Sequence, residues 1–122
     1  MSSELTLNVS GVYEDADGVT ASLEVSNLIR TLTTKKPLKT KQTVGIAEEA
    51  LVLGDIVTRG WCILVNRDVT NYVNVKVATG GAIFAQLFPG EFCALRLGSG
   101  AQSPFVIAAV AECEIEILLC AV

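Results

Sequence analysis

The chain has 122 residues, of which 51% are hydrophobic and 18% are charged, and its formal net charge is −4 at pH 7. This composition is typical of one packed domain and excludes intrinsic disorder. The absence of histidine excludes His-based catalytic triads and zinc sites with histidine ligands, and the acidic balance argues against nucleic-acid binding. The low charged fraction predicts that a partner covers part of the apolar surface.

The first half of the chain alternates apolar and polar residues, which predicts strands with one solvated face. These strands are expected at residues 5–9, 19–25 and 28–32, and the acidic segment 13–18 forms the turn between the first two. Residues 35–43 are polar and basic and include Pro37, which cannot donate to a central ladder. This segment is therefore predicted to be an edge strand or a loop.

The second half is more apolar, and it predicts further strands at 50–53, 61–65, 73–77, 83–88, 92–97, 105–110 and 113–121. Gly80-Gly81 suits a tight hairpin, and Pro89-Gly90 suits a type II turn. The last two strands are expected to form a hairpin around residues 111–112.

About nine or ten short strands at intervals of 8–12 residues predict an all-β fold. The expected architecture is an antiparallel two-sheet sandwich or a jelly-roll-like barrel, formed by one domain over residues 1–122. The composition shifts near Ile46, and on one interpretation residues 1–45 form an arm or outer sheet over a core of residues 46–122.

The four cysteines, Cys62, Cys93, Cys113 and Cys120, lie in apolar segments and form no C-x-x-C pair. The first residues carry no basic or apolar segment of a secretory signal, and no stretch reaches the roughly 20 apolar residues of a membrane span. We therefore expect cytoplasmic synthesis, no membrane partner, and free thiols that occupy core positions.

An acidic segment partly matches a calcium-binding loop. Asp15, Asp17, Gly18 and Glu24 match the third, fifth, sixth and twelfth positions of an EF-hand loop, but Tyr13 stands where the first ligand belongs. The flanking segments are predicted strands rather than helices. An acidic hairpin turn is the favoured interpretation, and no metal or cofactor is expected.

A basic cluster holds five of the nine basic residues within twelve positions. The cluster is either a solvated edge that resists edge-to-edge pairing or a contact for an acidic protein surface. No aromatic residue lies between Tyr13 and Trp61, so base stacking is disfavoured. The members of the basic cluster are Arg30, Lys35, Lys36, Lys39 and Lys41.

Neither carboxylates nor aromatic residues predict a catalytic site. Residues 112, 114 and 116 are glutamates on one face of the last strand, where they form a solvated face or an ion-pair row between subunits. No nucleophile–base pair is present, so an enzyme is not expected. Exposed aromatic residues would favour a carbohydrate-binding module, but core packing is expected for most of them. These aromatic residues are Trp61, Phe84, Phe88, Phe92 and Phe105.

Two strands are apolar on both faces, at residues 61–65 and 115–119. A strand of this kind must be covered on both sides. We predict that a neighbouring subunit supplies one cover, through Leu118 and at least one of Trp61, Ile63 and Val65.

Several segments between residues 47 and 122 resemble a family of small virion structural proteins of tailed bacteriophages. They are Glu49-Ala50-Leu51-Val52-Leu53-Gly54-Asp55, Gly60-Trp61, Asn66-Arg67-Asp68-Val69-Thr70-Asn71-Tyr72-Val73, Phe88-Pro89-Gly90-Glu91 and Leu95-Arg96-Leu97.

The resemblance implies a compact β-sandwich that attaches to the capsid shell or another virion part, often as a trimer, without catalytic residues. The expected function is that of a capsid decoration, or cement, protein. It would bind the major capsid protein at the capsid surface, after assembly in the host cytoplasm, and the basic cluster would contact the partner. A tail or head–tail connector component is the structural alternative.

Overall fold

A computed structural model describes residues 3–32, 37–54, 59–98 and 103–121. These residues form ten strands in antiparallel sheets, which confirms the predicted all-β fold. None of the described segments forms a helix that could cross a membrane. The strands are β1 Ser3–Glu14, β2 Thr20–Leu32, β3 Leu38–Val44, β4 Glu49–Ala50, β5 Arg59–Asn66, β6 Val73–Lys76, β7 Ile83–Leu87, β8 Phe92–Arg96, β9 Phe105–Ala108 and β10 Cys113–Ala121.

The chain divides into two compact units, Met1–Lys35 and Lys36–Val122. The smaller unit contains a long hairpin of β1 and β2, in which the predicted strands at 19–25 and 28–32 form one continuous strand. Strand β3 belongs to the larger unit, at the edge of a sheet. Its place at an edge agrees with the position of Pro37 immediately before it.

A β-bulge explains why β2 is continuous. Leu7 faces Leu28 but Val9 faces Val25, so one extra residue is inserted into β2. Asn27 adopts a φ of 52° there, and its backbone N–H donates to Asn8 Oδ1 at 2.8 Å. Apolar positions in β2 change from odd to even numbers at this point. Because the bulge adds one residue, both sets project from the same face of the hairpin.

The larger unit is a sandwich of two four-stranded sheets, with strand orders β3-β10-β5-β8 and β4-β9-β6-β7. Alternate residues of each sheet point inward and meet in one core. Each large aliphatic side chain buried there stabilises the fold by about 1.5–3 kcal/mol. Fully buried members include Val44, Val73, Val75, Val106, Ile115, Ile117 and Leu119.

The expected hairpin of the last two strands is wrong. Strand β9 pairs with β4 and β6, whereas β10 pairs with β3 and β5 in the opposite sheet. Residues 109–112 therefore cross from one sheet to the other. Both strands are apolar on the core side. Two consecutive strands show this same pattern whether they pair in one sheet or face each other across a sandwich.

Candidate functional site

Two segments that carry the family resemblance meet at one corner of the sandwich. Asn66 is fully buried, and its Nδ2 donates to the carbonyl oxygens of Asn71 and Leu87, both at 2.9 Å. Its Oδ1 accepts from the Asp68 backbone N–H at 2.9 Å. The Asp68 carboxylate accepts from the backbone N–H groups of Asn71 and Thr70, which lower its pKa. These polar groups hold the turn after β5.

The turn between β7 and β8 completes this corner. The Glu91 N–H donates to the Phe88 carbonyl at 2.9 Å, and Gly90 has a φ of 81°, which confirms the predicted type II turn. The Gly90 N–H donates to the Asn66 carbonyl at 3.0 Å. These two motifs thus contain residues that fix turns, and the polar atoms named above bond within the chain.

No local pattern in the sequence indicates the role of Asn66 at this corner. Its partner Leu87 lies 21 residues away in the chain. No spacing rule brings these two positions together, because the contact depends on how the sheets stack.

Within the described residues, the structure joins two members of the basic cluster. Lys39 and Lys41 lie on β3, and their amino groups pair with Glu116 at 4.0 Å and Glu114 at 3.3 Å on β10. Arg67 Nη2 also contacts Glu116 Oε1 at 2.8 Å. This hydrogen bond, followed by the positive charges of Arg67 and the two lysines, lowers the pKa of Glu116. Glu114 and Glu116, two of the three glutamates of this row, therefore form ion pairs within one chain.

The remaining members of the basic cluster are Arg30, Lys35 and Lys36. Arg30 lies on β2, in the smaller unit. Lys35 and Lys36 lie outside the described residues. Their expected role as capsid contacts stays a prediction, and so does that of Lys39 and Lys41.

The four predicted interface residues lie together on the outer face of the β3-β10-β5-β8 sheet. Leu118 faces Ile63 across the β10–β5 ladder, and Glu116 faces Val65. Trp61, Ile63, Val65 and Leu118, here called the outer strip, are all half-buried. The Trp61 Nε1–H is buried without a hydrogen-bond partner in the described part of the chain. The strip is apolar, and charged residues border it on the β3 side, where Lys39 faces Leu118 and Lys41 faces Glu116. Its contact with a second subunit stays a prediction.

The expectation that most aromatic residues fill the core is wrong. Phe84, Phe88 and Phe92 are about half exposed, and Trp61 and Phe105 are half-buried. Strands β7 and β8 are edge strands of their sheets, so residues on them reach the rim of the sandwich. Aliphatic side chains fill the interior instead.

A shallow groove lies near the β7–β8 turn, and Phe92 is the aromatic residue in its lining. The rings of Tyr72 and Phe88 stack with centroids 4.7 Å apart and an interplanar angle of 9°. The groove has a volume of about 420 Å³. Its lining residues are Gln86, Leu87, Gly90, Glu91 and Phe92.

The partial calcium motif folds as the acidic hairpin turn. Asp15 Oδ1 accepts from the backbone N–H groups of Asp17 at 2.9 Å and Val19 at 2.8 Å. Glu24 accepts a hydrogen bond from the Ser26 hydroxyl. The Asp15 carboxylate thus stabilises the turn. In the described ranges, no three side chains of metal-ligating type come together.

All four cysteines have free thiols, and Cys62, Cys113 and Cys120 are buried while Cys93 is half-buried. Burial raises the pKa of the Cys62 thiol to about 12 and also raises the pKa of the other three thiols. A protonated, buried thiol is a poor nucleophile. The predicted role as core residues is confirmed for Cys62, Cys113 and Cys120, whereas Cys93 packs against the core from a half-buried position.

Comparisons with protein-family models, curated proteins and solved structures find no match to this chain. Its function is therefore inferred from its own surfaces and from the sequence motifs given above.

Proposed function

We propose that this protein is a non-enzymatic structural protein of a tailed-phage virion, a decoration protein that binds the major capsid protein at the capsid surface as a homotrimer. The observation that carries the proposal is the outer strip. An apolar centre bordered by charged residues has the layout of a protein–protein interface, with a dry core and a polar rim.

The low charged fraction of the chain, 18%, supports permanent assembly, since obligate interfaces are depleted in charge at their centres. Trimeric decoration converts three weak contacts into one avid attachment. Lys39 and Lys41 remain more than half exposed although they form ion pairs. Charges at such a rim steer association and contribute little to folding.

Binding to capsids tests this proposal. Purified protein is mixed with capsids of its phage that lack decoration, and bound protein is measured after sedimentation. We expect saturable binding by a trimer, weakened when Lys35, Lys36, Lys39 and Lys41 are all changed to Glu. A circular dichroism spectrum like that of the wild type verifies that the variant folds. A stable ring of six or twelve copies would instead favour the tail or connector role, and wild-type binding by the variant would contradict the lysine contact.

The groove with Phe92 in its lining favours a second candidate, a carbohydrate-binding module. An exposed ring such as Phe92 stacks on the apolar face of a sugar, and the side chains of Gln86 and Glu91 offer an amide and a carboxylate to sugar hydroxyls. Glycan-array binding tests it, with Phe92→Ala as the variant. Phe105→Ala is the control, because Phe105 does not line the groove. Equal binding by both variants, or none by the wild type, counts against this candidate.

A further inference from the structure

The β1–β2 hairpin has one apolar face. Val9 faces Val25, Gly11 faces Leu23, and Tyr13 faces Ala21. Since alternate residues share a face, these six positions form one surface, here called the arm face. The opposite face carries mainly Thr, Ser, Asn and Glu.

The arm face is uncovered. Toward the base of the hairpin, Leu5 on the same side is buried. From Val9 to the turn every residue of the face is exposed, and Leu23 has 72% of its surface accessible. A two-stranded hairpin is marginally stable in water unless its apolar face packs against another layer. The arm face therefore requires a cover whenever the protein is folded.

We propose that the arm face packs on the outer strip of a second copy of this chain. A constant cover requires a partner that is always present, and another copy meets that condition. The chain also offers a matching acceptor, because the outer strip is apolar, half-buried and carried mainly by two adjacent strands, β5 and β10. The arm face is likewise two strands wide.

The charges at the borders of the two surfaces are complementary. The turn of the hairpin carries Glu14, Asp15 and Asp17, and no lysine or arginine precedes Arg30 in the chain. The border of the outer strip carries three cations, Lys39, Lys41 and Arg67, against the two carboxylates of Glu114 and Glu116. An acidic arm end therefore meets a border with a net positive charge, which fixes the direction of docking.

The area involved indicates a closed oligomer. The face spans five residues along each strand, about 17 Å, and two strands are about 10 Å wide, so one arm face covers about 170 Å² in projection. One arm contact buries about twice that area, well below the roughly 1,200–2,000 Å² of a stable interface. A closed ring, in which each copy gives one arm and receives another, provides every copy with two such contacts. This inference concerns how copies associate and does not depend on binding to a capsid.

Sedimentation velocity over a range of protein concentrations tests the proposal. We expect an oligomer for the wild type, and for Leu23→Asp a dissociation constant raised at least tenfold, because an apolar contact is replaced by a desolvated charge. Val12→Asp is the matched control. Val12 is 74% exposed but lies on the polar face, next to the Leu23 pair in the ladder, so its variant should associate like the wild type.

A wild type that stays monomeric at its highest soluble concentration would overturn the proposal, and so would equal behaviour of the two variants. A crosslinking measurement needs no destabilising change. Tyr13 is replaced by p-benzoylphenylalanine, and the protein is mixed with isotopically labelled wild type and irradiated. We expect mixed-label crosslinks to peptides containing residues 59–66 or 113–121. Three outcomes would each overturn the proposal. They are mixed-label crosslinks to residues 3–32, crosslinks within one chain only, and crosslinks to capsid protein in a capsid-bound sample.

Discussion

The hairpin and the sandwich use the same alternating pattern with different outcomes. In the sandwich, the inward residues of one sheet cover those of the other, and Leu64 is 2% exposed. The hairpin has a single layer, and Leu23 on its apolar face is 72% exposed. Alternation therefore predicts that a segment is a strand and which residues share a face, but it does not predict what covers that face.

The largest expected difference follows from truncating one leucine in each region. Leu64→Ala should lower the free energy of unfolding by about 2–5 kcal/mol, because it leaves a cavity in a packed core. Leu23→Ala should change it by no more than about 0.5 kcal/mol in the isolated chain. Urea unfolding followed by far-UV circular dichroism at low protein concentration measures both. Similar losses for the two variants would mean that the arm face is packed within its own chain.

The corner held by Asn66 predicts the next largest effect. Asn66→Ala removes the Nδ2 donor from the carbonyl oxygens of Asn71 and Leu87, and should lower the free energy of unfolding by about 2–4 kcal/mol. Asn74→Ala is the control, since Asn74 shares an exposed hydrogen bond with Gln86. Its loss should stay below about 1 kcal/mol. If both variants unfold at the same urea concentration, the corner does not stabilise the sandwich.

Much of the fold could be predicted because it depends on local rules. The strand positions follow from alternation, and the type II turn follows from Pro89-Gly90. The change from odd to even apolar positions between Val25 and Leu28 is also visible in the sequence, but this pattern alone predicts two strands rather than one strand with a bulge. The pairing of β9 and β10 could not be predicted, because alternation does not distinguish a ladder neighbour from a residue across the core.

The candidate site was less predictable than the fold. Two positions separate Lys39 from Lys41 on β3, and two separate Glu114 from Glu116 on β10. Each pair therefore shares a face of its strand. Their partnership depends on the β3–β10 register, which no local pattern specifies. The exposure of Phe84, Phe88 and Phe92 depends likewise on which strands become edges.

The bulge predicts a smaller effect confined to the hairpin. A β-branched residue is strained at the positive φ of Asn27, so Asn27→Val should destabilise the hairpin by about 1–2 kcal/mol. Asn27→Gly is the control, because glycine adopts this conformation freely. Hydrogen exchange of the backbone amides of β1 and β2 measures the effect, and β5 and β10 should exchange as in the wild type. Unchanged hairpin protection in the valine variant would show that this backbone conformation is not required.

The ion-pair row of the sandwich predicts the smallest effect and a defined pH dependence. The pKa of Glu116 is lowered in the folded protein by Arg67 first and then by the lysines. The stability that it contributes is therefore present above the ordinary carboxyl pKa of about 4.3, and is lost as the pH falls through the lowered folded value. Glu116→Gln should unfold at a lower urea concentration than the wild type at pH 7, and the difference should vanish in acid. Glu112→Gln is the control, because Glu112 forms no ion pair with the described residues. A difference for Glu116→Gln that persists unchanged in acid would assign the effect of this substitution to packing rather than to charge. The β3 edge would then resemble the hairpin turn, where the acidic side chains lack cationic partners in the described chain.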